Sequence, residues 1–400
     1  MKILFVTGGS HNPDNRNLNH HQRTYFLSRQ AQLTILGRKG ADFSVSAKPG
    51  TTVVYCPVSG TTALLLYGCW WVLTVGRRER FDIVLTEPSK LCLIGALFRL
   101  ISKVKWVVDV WDIPIRLQSH DLWPRLVNHV ERFLLKQAFR LSDLFIVSIV
   151  PDHELKYFHI PERKMALFQN AIWLEDARKK KNGSRANTDE TFQILCMRSR
   201  YSMDSGLDLL GEAFLRLRSS GRDAKLTIVG MVPSDIEDQV QSLRGQSEVV
   251  FHDFVPHQTL LSMIREASVC VIPYRESIDL MQIYPVKVLE YLALGAVLLV
   301  PRLDGITRMV HDGLNGLVFR AGDSHDMYEK FVRLYDDPNL RTLLSKNAQK
   351  LSPEHDCQVK AENILRVLAS TLNKKPISDE ARGCVSAQTS AKRDREIMPE

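Results

Sequence analysis

The feature that most restricts this chain is an alternation that occurs twice. Short runs rich in Val, Ile and Leu (KILFVTG, QLTILGR, TTVVYCP, FDIVLTE, KWVVDVW and LFIVSIV) are separated by mostly helical patterns before residue 170. A second series follows, with FQILCM, AKLTIVG, EVVFHDF, VCVIPY, AVLLVP and LVFR divided by helical segments such as SGLDLLGEAFLRLRS. Strand runs that are apolar throughout need cover on both faces, so they read as parallel strands joined by crossover helices. The expectation is an α/β chain with two Rossmann-like, doubly wound parallel-sheet domains facing a central cleft. At 400 residues the chain is too long for one ordinary core, which also predicts two domains.

The polar, Lys-rich piece ARKKKNGSRANTDE, 177–190, reads as the linker. It separates an N-terminal domain, 1–176, from a C-terminal domain, 191–350. Residues 351–373 read as a further helix, with Ala361, Ile364, Leu365 and Leu368 at helical spacing, and the polar, aperiodic 374–400 as a disordered tail.

A formal net charge of +8 fits an anionic ligand, an anionic membrane surface or nucleic acid, without choosing among them. The seven cysteines are scattered with no C-x-x-C pair, which predicts reduced core thiols, a cytoplasmic location and no metal site. The opening MKILFVTGGS is a short strand meeting Gly-Gly, too short for a secretory apolar region. The run TTALLLYGCWWVLTVG, 61–76, falls short of the roughly 20 residues that a spanning helix requires. With Tyr67, Trp70 and Trp71 beside Arg77, Arg78 and Arg80, it reads either as an interfacial membrane helix or as a plain packed helix.

One carboxylate stands out. In YPVKVLEYLALGAVLLVP, 284–301, Val286, Leu289, Leu292 and Ala293 recur at helical spacing, Pro285 suits the first turn and Gly295 the left-handed end. Glu290 lies just over one turn into that helix. In a doubly wound sheet the ligand crevice is at the carboxyl ends of the strands, where helix N-termini take phosphates and a carboxylate takes a ribose hydroxyl. Glu290 is therefore a ribose ligand or a surface residue on a solvated helix face.

Together with HDGLNGLVF (311–319), FQNAI (168–172), SGLDLLGEAFLRL (205–217) and FHDFVPHQTLLSMIREASVCVIPY (251–274), this segment resembles the retaining glycosyltransferases of family 4, which have the GT-B fold. The resemblance covers residues 1–370. It implies transfer of a sugar from a nucleotide diphosphate sugar to a glycan or lipid-linked acceptor, in cell-surface polysaccharide or glycolipid synthesis, with no cofactor and no nucleic-acid partner. It also implies that residues 351–373 pack back onto the N-terminal domain, and that the enzyme works in the cytoplasm or peripherally on the inner face of the membrane.

By the same resemblance Glu290 binds the donor ribose, and the backbone near Tyr284, Pro285 and Val286 meets the diphosphate. Gln282 stands where the family often has a sugar-contacting Glu. The family's phosphate-binding Arg is matched by Arg200, with Arg198 two residues earlier, whereas Ser205 occupies the position of the usual Lys; Lys287 is the nearest replacement. Either arginine offers a bidentate grip on a leaving phosphate, the alternative being a solvated loop. These departures leave a catalytically degenerate binding module or partner subunit as the rival reading.

In the first half, KWVVDVWDIP ends a strand in carboxylates, of which Asp112 is the acceptor-side candidate and Asp109 the second; capping of the next segment is the competing role. Gly8 and Gly9 allow a ligand close to the backbone, but the G-x-G-x-x-G pattern and its acidic partner are missing, which counts against NAD. Histidines 11, 20 and 21 read as polar loop residues rather than metal ligands, and Arg23 as an acceptor contact or a loop cap.

Overall fold

The computed structural model describes residues 1–9, 19–44, 46–110, 122–147, 152–167, 171–174, 191–277 and 285–373. The expected linker and tail, and the candidates Asp112, Gln282 and Tyr284, lie outside these residues. The chain divides into two compact units, Met1–Asn170 with Gln358–Glu400, and Ala171–Cys357.

In the first unit the strands are β1 (Lys2–Thr7), β2 (Gln32–Gly37), β3 (Thr52–Tyr55), β4 (Ile83–Thr86), β5 (Lys105–Val110), β6 (Leu144–Val147) and β7 (Met165–Leu167). Its helices are α1 (Asn19–Gln30), α2 (Thr61–Thr74), α3 (Cys92–Ile101), α4 (Leu122–Phe139) and α5 (Asp152–Phe158). All strands pair in parallel, in the order β3-β2-β1-β4-β5-β6-β7. Parallel strands need apolar cover on both sides, and the core is split accordingly. Leu64, Trp71, Phe98 and Phe139 of α2, α3 and α4 pack one face, while Leu27 of α1 packs the other.

The second unit carries β8 (Phe192–Arg200), β9 (Ala224–Met231), β10 (Val249–His252), β11 (Val269–Val271), β12 (Leu298–Pro301) and β13 (Leu317–Phe319). These also pair in parallel, in the order β10-β9-β8-β11-β12-β13. Its helices are α6 (Leu207–Ser219), α7 (His257–Glu266), α8 (Val286–Leu294), α9 (Asp304–Thr307), α10 (Ser324–Asp336) and α11 (Pro338–Leu351). The last helix, α12 (Cys357–Leu372), places Ile364, Val367 and Leu368 in the core of the first unit, beside Leu27 and Ile3.

Three local details differ from the sequence pattern. The edge strand β7 has three residues, too few to show a period. Pro285 sits just ahead of α8 in extended backbone (φ −71°, ψ 127°) rather than inside its first turn; Gly295 ends the helix in the left-handed region (φ 69°) as its position predicts. The Trp pair in α2 divides its work, with Trp71 buried against Phe81 and Trp70 exposed.

Strand order reverses between β1 and β4 in the first unit and between β8 and β11 in the second. At such points the loops leave in opposite directions and open a crevice at the strands' carboxyl ends. The described candidate residues concentrate at these two places.

Candidate functional site

In the second unit, β8 carries a register irregularity against β9 between Met197 and Arg200. In a regular strand, residues two apart point to the same face; the irregularity breaks that rule and separates the two arginines. Arg198 donates from Nη1 to the Ser205 hydroxyl at 3.0 Å and stacks over the Tyr274 ring at 4.8 Å. Arg200 is exposed and its Nη1 lies 3.0 Å from Met231 Sδ. Arg198 thus turns toward Tyr274, three residues past the end of β11, while Arg200, the last residue of β8, turns toward Met231 of β9.

Ser205 is fully buried and holds the loop that follows β8. Its hydroxyl accepts from the Ser202 N–H at 2.8 Å, and its own N–H donates to the Ser202 carbonyl at 2.9 Å. Gly206, at φ 67°, then opens α6; a Cβ there would lie 2.0 Å from the Pro273 carbonyl oxygen. The arginine itself is seated by another glycine. Gly230, at φ 128°, is so close to the bulged strand that a Cβ would stand 1.6 Å from the Arg198 carbonyl oxygen.

Helix α8 brings the other charges. Lys287 is largely buried and its Nζ donates to the Met197 carbonyl at 3.4 Å. Burial lowers its pKa to about 8, nearby Cys196 and Glu290 pull it upward and Arg198 pushes it down. It thus remains mainly protonated at neutral pH. Glu290 is buried, so the surface alternative does not hold, and its Oε1 lies 3.3 Å from Nε2 of His257, the first residue of α7. Lys287 is accordingly near enough to both Arg198 and Glu290 to feel their charges, while Arg200 meets Met231. Pro285 and Val286 mark the N-terminal end of the same helix.

The HDGLNG stretch is a structural turn. Buried Asn315 accepts from the His311 N–H at 2.7 Å and donates to the Met309 carbonyl at 2.8 Å, while Asp312 accepts from the Val318 N–H at 2.8 Å. Gly316 packs so tightly that a Cβ would lie 2.6 Å from Val310. The motif fixes how the chain enters β13.

The first unit's switch point is different. Glu87, directly after β4, is buried and hydrogen-bonded to the Thr7 hydroxyl, and its Oε2 accepts the Gly8 N–H at 2.9 Å. The Gly9 N–H donates to Thr7 Oγ1 at 3.1 Å. Both glycine N–H groups are thus engaged inside the protein. Burial raises the Glu87 pKa to about 7, with the negative Asp109 adding to the effect and the hydrogen bonds from Thr7 and Gly8 opposing it. Asp109 itself is held by Arg23 in a buried two-pronged pair at 2.5 and 3.1 Å. Sequence reasoning passed over Glu87, although a carboxylate at the end of an otherwise apolar strand, FDIVLTE, is a usable signal. It also passed over His257 and Tyr274, whose roles depend on contacts distant in sequence. Among the described residues no group of three or more His, Cys, Asp or Glu side chains is placed to hold a metal ion.

With the strand ends, the arginine and the α8 carboxylate in place, the relatives can be compared. Residues 192–337 match the family model for glycosyl transferases group 1. The second unit is a glycosyl transferases group 1 domain. The chain is 26% identical over 179 residues to alpha-D-kanosaminyltransferase of Streptomyces kanamyceticus, covering 44% of this chain and 45% of that protein. It is 23% identical to the N,N'-diacetylbacillosaminyl-diphospho-undecaprenol alpha-1,3-N-acetylgalactosaminyltransferase of Campylobacter jejuni, covering 60% of this chain and 64% of the relative. The chain therefore spans less than two thirds of either relative's length. Among solved structures it is similar to sucrose-phosphate synthase from Thermosynechococcus elongatus, with a TM-score of 0.67 at 16% identity over 94% of this chain and 100% of that one. It is also similar to HepE of Anabaena in complex with UDP and glucose, with a TM-score of 0.64 at 16% identity over 92% of this chain and 100% of that chain. At this identity the likeness shows the fold, two parallel-sheet α/β units of the GT-B type. The group 1 domain contains Arg198, Ser205, Tyr274, Lys287 and Glu290, all within the matched span.

Proposed function

We propose that this chain is a retaining glycosyltransferase that takes a sugar from a nucleotide diphosphate sugar and passes it to a glycan or lipid-linked acceptor in cell-surface polysaccharide or glycolipid synthesis. The observation that carries the reading is Lys287 set between Arg198 and Glu290, with electrostatic contact to each, at the switch point of the second unit. The two cations suit the diphosphate, and the carboxylate suits the ribose hydroxyls.

Breaking the glycosidic bond places negative charge on the leaving nucleoside diphosphate, so donors fixed in advance stabilise the transition state more than water does. Arg198 is fixed by Ser205 and Tyr274 and supplies a planar fork. In this reading Ser205, at the family's lysine position, is a positioning residue for that arginine, and Lys287 adds the second positive charge. The N-terminal end of α8, where Pro285 has no N–H and Val286 is the first residue able to donate one, faces the same phosphates. Retention fits a mechanism in which the acceptor attacks on the leaving-group side, where the phosphate takes up the acceptor's proton. No resident cofactor takes part.

The test is calorimetric titration with nucleoside diphosphates and their sugars, followed by turnover of the best donor. Binding lost in Glu290→Ala and turnover lost in Arg198→Ala support the enzyme. Donor binding without turnover or hydrolysis across a broad acceptor set supports the degenerate binding module instead.

A further inference from the structure

We infer that the first sheet carries a second anion site on the edge opposite its crevice, made by Arg99, Lys105, Arg163 and Lys164, which takes a small multivalent phosphate such as pyrophosphate. The inference goes beyond sugar transfer and does not depend on it.

The site is built from strand starts. Lys105 opens β5, Asp143 immediately precedes β6 and Lys164 immediately precedes β7, and these three strands are neighbours in the sheet. Because they run in parallel, their first residues share one edge, and the loops of the switch-point crevice leave from the other. Arg99 joins them from the last turn of α3, the crossover helix that leads into β5.

One carboxylate serves this group. Partly buried Asp143 takes the Lys105 ammonium on Oδ1 at 2.9 Å and the Trp106 N–H on Oδ2 at 3.0 Å, and Arg99 Nε lies 2.9 Å from the same Oδ2. Three groups crowd two oxygens, and the arginine is the one left over: its buried Nε is out of line and makes no hydrogen bond. Among the described residues Lys164 and Arg163 have no carboxylate partner at all. Lys164 is half-buried and spends one of its three donors on the Ser142 carbonyl, at 2.5 Å. Burial lowers its pKa, Asp143 pulls it back up, and Arg163, Arg99 and Lys105 push it down again. The four cations thus lie close enough to repel one another.

Helix capping does not account for them. Helices α3 and α4 end at this edge, where a cation suits the last carbonyls, but among the described residues Arg99 donates to no carbonyl of α3. Only Lys164, on the carbonyl that follows α4, fills such a role. Half-buried like charges cost free energy that an anion set among them offsets. A monovalent ion would leave the cluster positive. A di- or trivalent phosphate neutralises it and presents paired oxygens to the fork of Arg99.

The experiment titrates the full chain with sodium pyrophosphate, by calorimetry and by thermal midpoint, against sodium chloride at matched ionic strength. It is run in the wild type and in Arg198→Ala, whose second-unit crevice has lost its arginine. Pyrophosphate should raise the midpoint saturably in both proteins, beyond the chloride control. In the Arg198→Ala background, Arg163→Gln with Lys164→Gln should weaken pyrophosphate binding about tenfold. With repulsion relieved, the midpoint of that variant in phosphate-free buffer should equal or exceed that of its parent. Arg163→Gln alone, at an exposed position, should show part of the loss with an unchanged midpoint. The inference is overturned if chloride gives the same rise, if binding disappears with Arg198→Ala, or if the Arg163 and Lys164 variants bind pyrophosphate undiminished, since the cluster would then only support the strand ends.

Discussion

The two sheets share one architecture yet treat negative charge in opposite ways at their switch points. Between β1 and β4 the protein supplies its own carboxylate: Glu87 takes the Gly8 N–H and the Thr7 hydroxyl, the donors that an arriving phosphate would otherwise find. Between β8 and β11 the corresponding place is lined by Arg198 and overlooked by Lys287, with Glu290 set back against His257. A doubly wound sheet therefore offers an anion site wherever its order reverses, and side chains decide whether that offer stands. The first unit closes it with its own buried carboxyl group, and the second lines it with cations.

Four experiments break or sharpen this contrast. The largest effect is expected for Arg198→Ala, which should lower turnover about 100- to 1,000-fold, as loss of one fixed transition-state donor does. Arg200→Ala, whose side chain meets Met231, should cost far less. Equal losses in the two variants would mean that the bulge in β8 does not sort them.

The second concerns Glu87 and pH. Its carboxyl keeps a proton up to about pH 7 in the folded protein but loses it near 4.5 when unfolded, so the native state binds more protons between those values. Stability from this group is full below about 4.5 and is lost as pH rises through about 7. The loss is on the order of 3 kcal/mol, and Glu87→Gln should remove that slope from a series of thermal midpoints across pH 4–8. A slope identical to wild type would show that Glu87 is not the titrating group.

Next in size, Glu290→Ala should weaken donor binding by about 1.5 to 3 kcal/mol without lowering the thermal midpoint, since the lost bonds are to a charged acceptor. Wild-type affinity in calorimetry would remove the ribose role. The smallest effect belongs to Ser205→Ala, which should lower turnover by about 1 kcal/mol through a looser arginine. A Ser205→Thr variant that keeps the hydroxyl should recover part of it, and a loss in Ser205→Ala equal to that in Arg198→Ala would make the hydroxyl more than a support.

Much of the fold was legible because apolar strand runs and helical spacing are local properties. The buried carboxylate was legible for the same reason: Glu290 interrupts an apolar helix beside Pro285, and Gly295 marks its end. The choice between Arg198 and Arg200 was not. Residues two apart on a strand are equivalent by pattern, and only the irregularity against β9, invisible in one sequence, turns them to different neighbours. Glu87 was hidden for another reason, since its importance comes from Gly8 and Thr7, some eighty positions earlier in the chain.

Gly230 carries a consequence for anyone altering this protein. The residue donates no charge and meets no ligand in the proposed chemistry, yet any side chain there would collide with the Arg198 carbonyl. A combinatorial library that varies the ring of residues around the arginine can therefore search donor preference freely, while one that includes position 230 will fill with inactive members whose defect lies in the backbone. A survey of variants would record this glycine as intolerant and invite its misassignment as a contact residue.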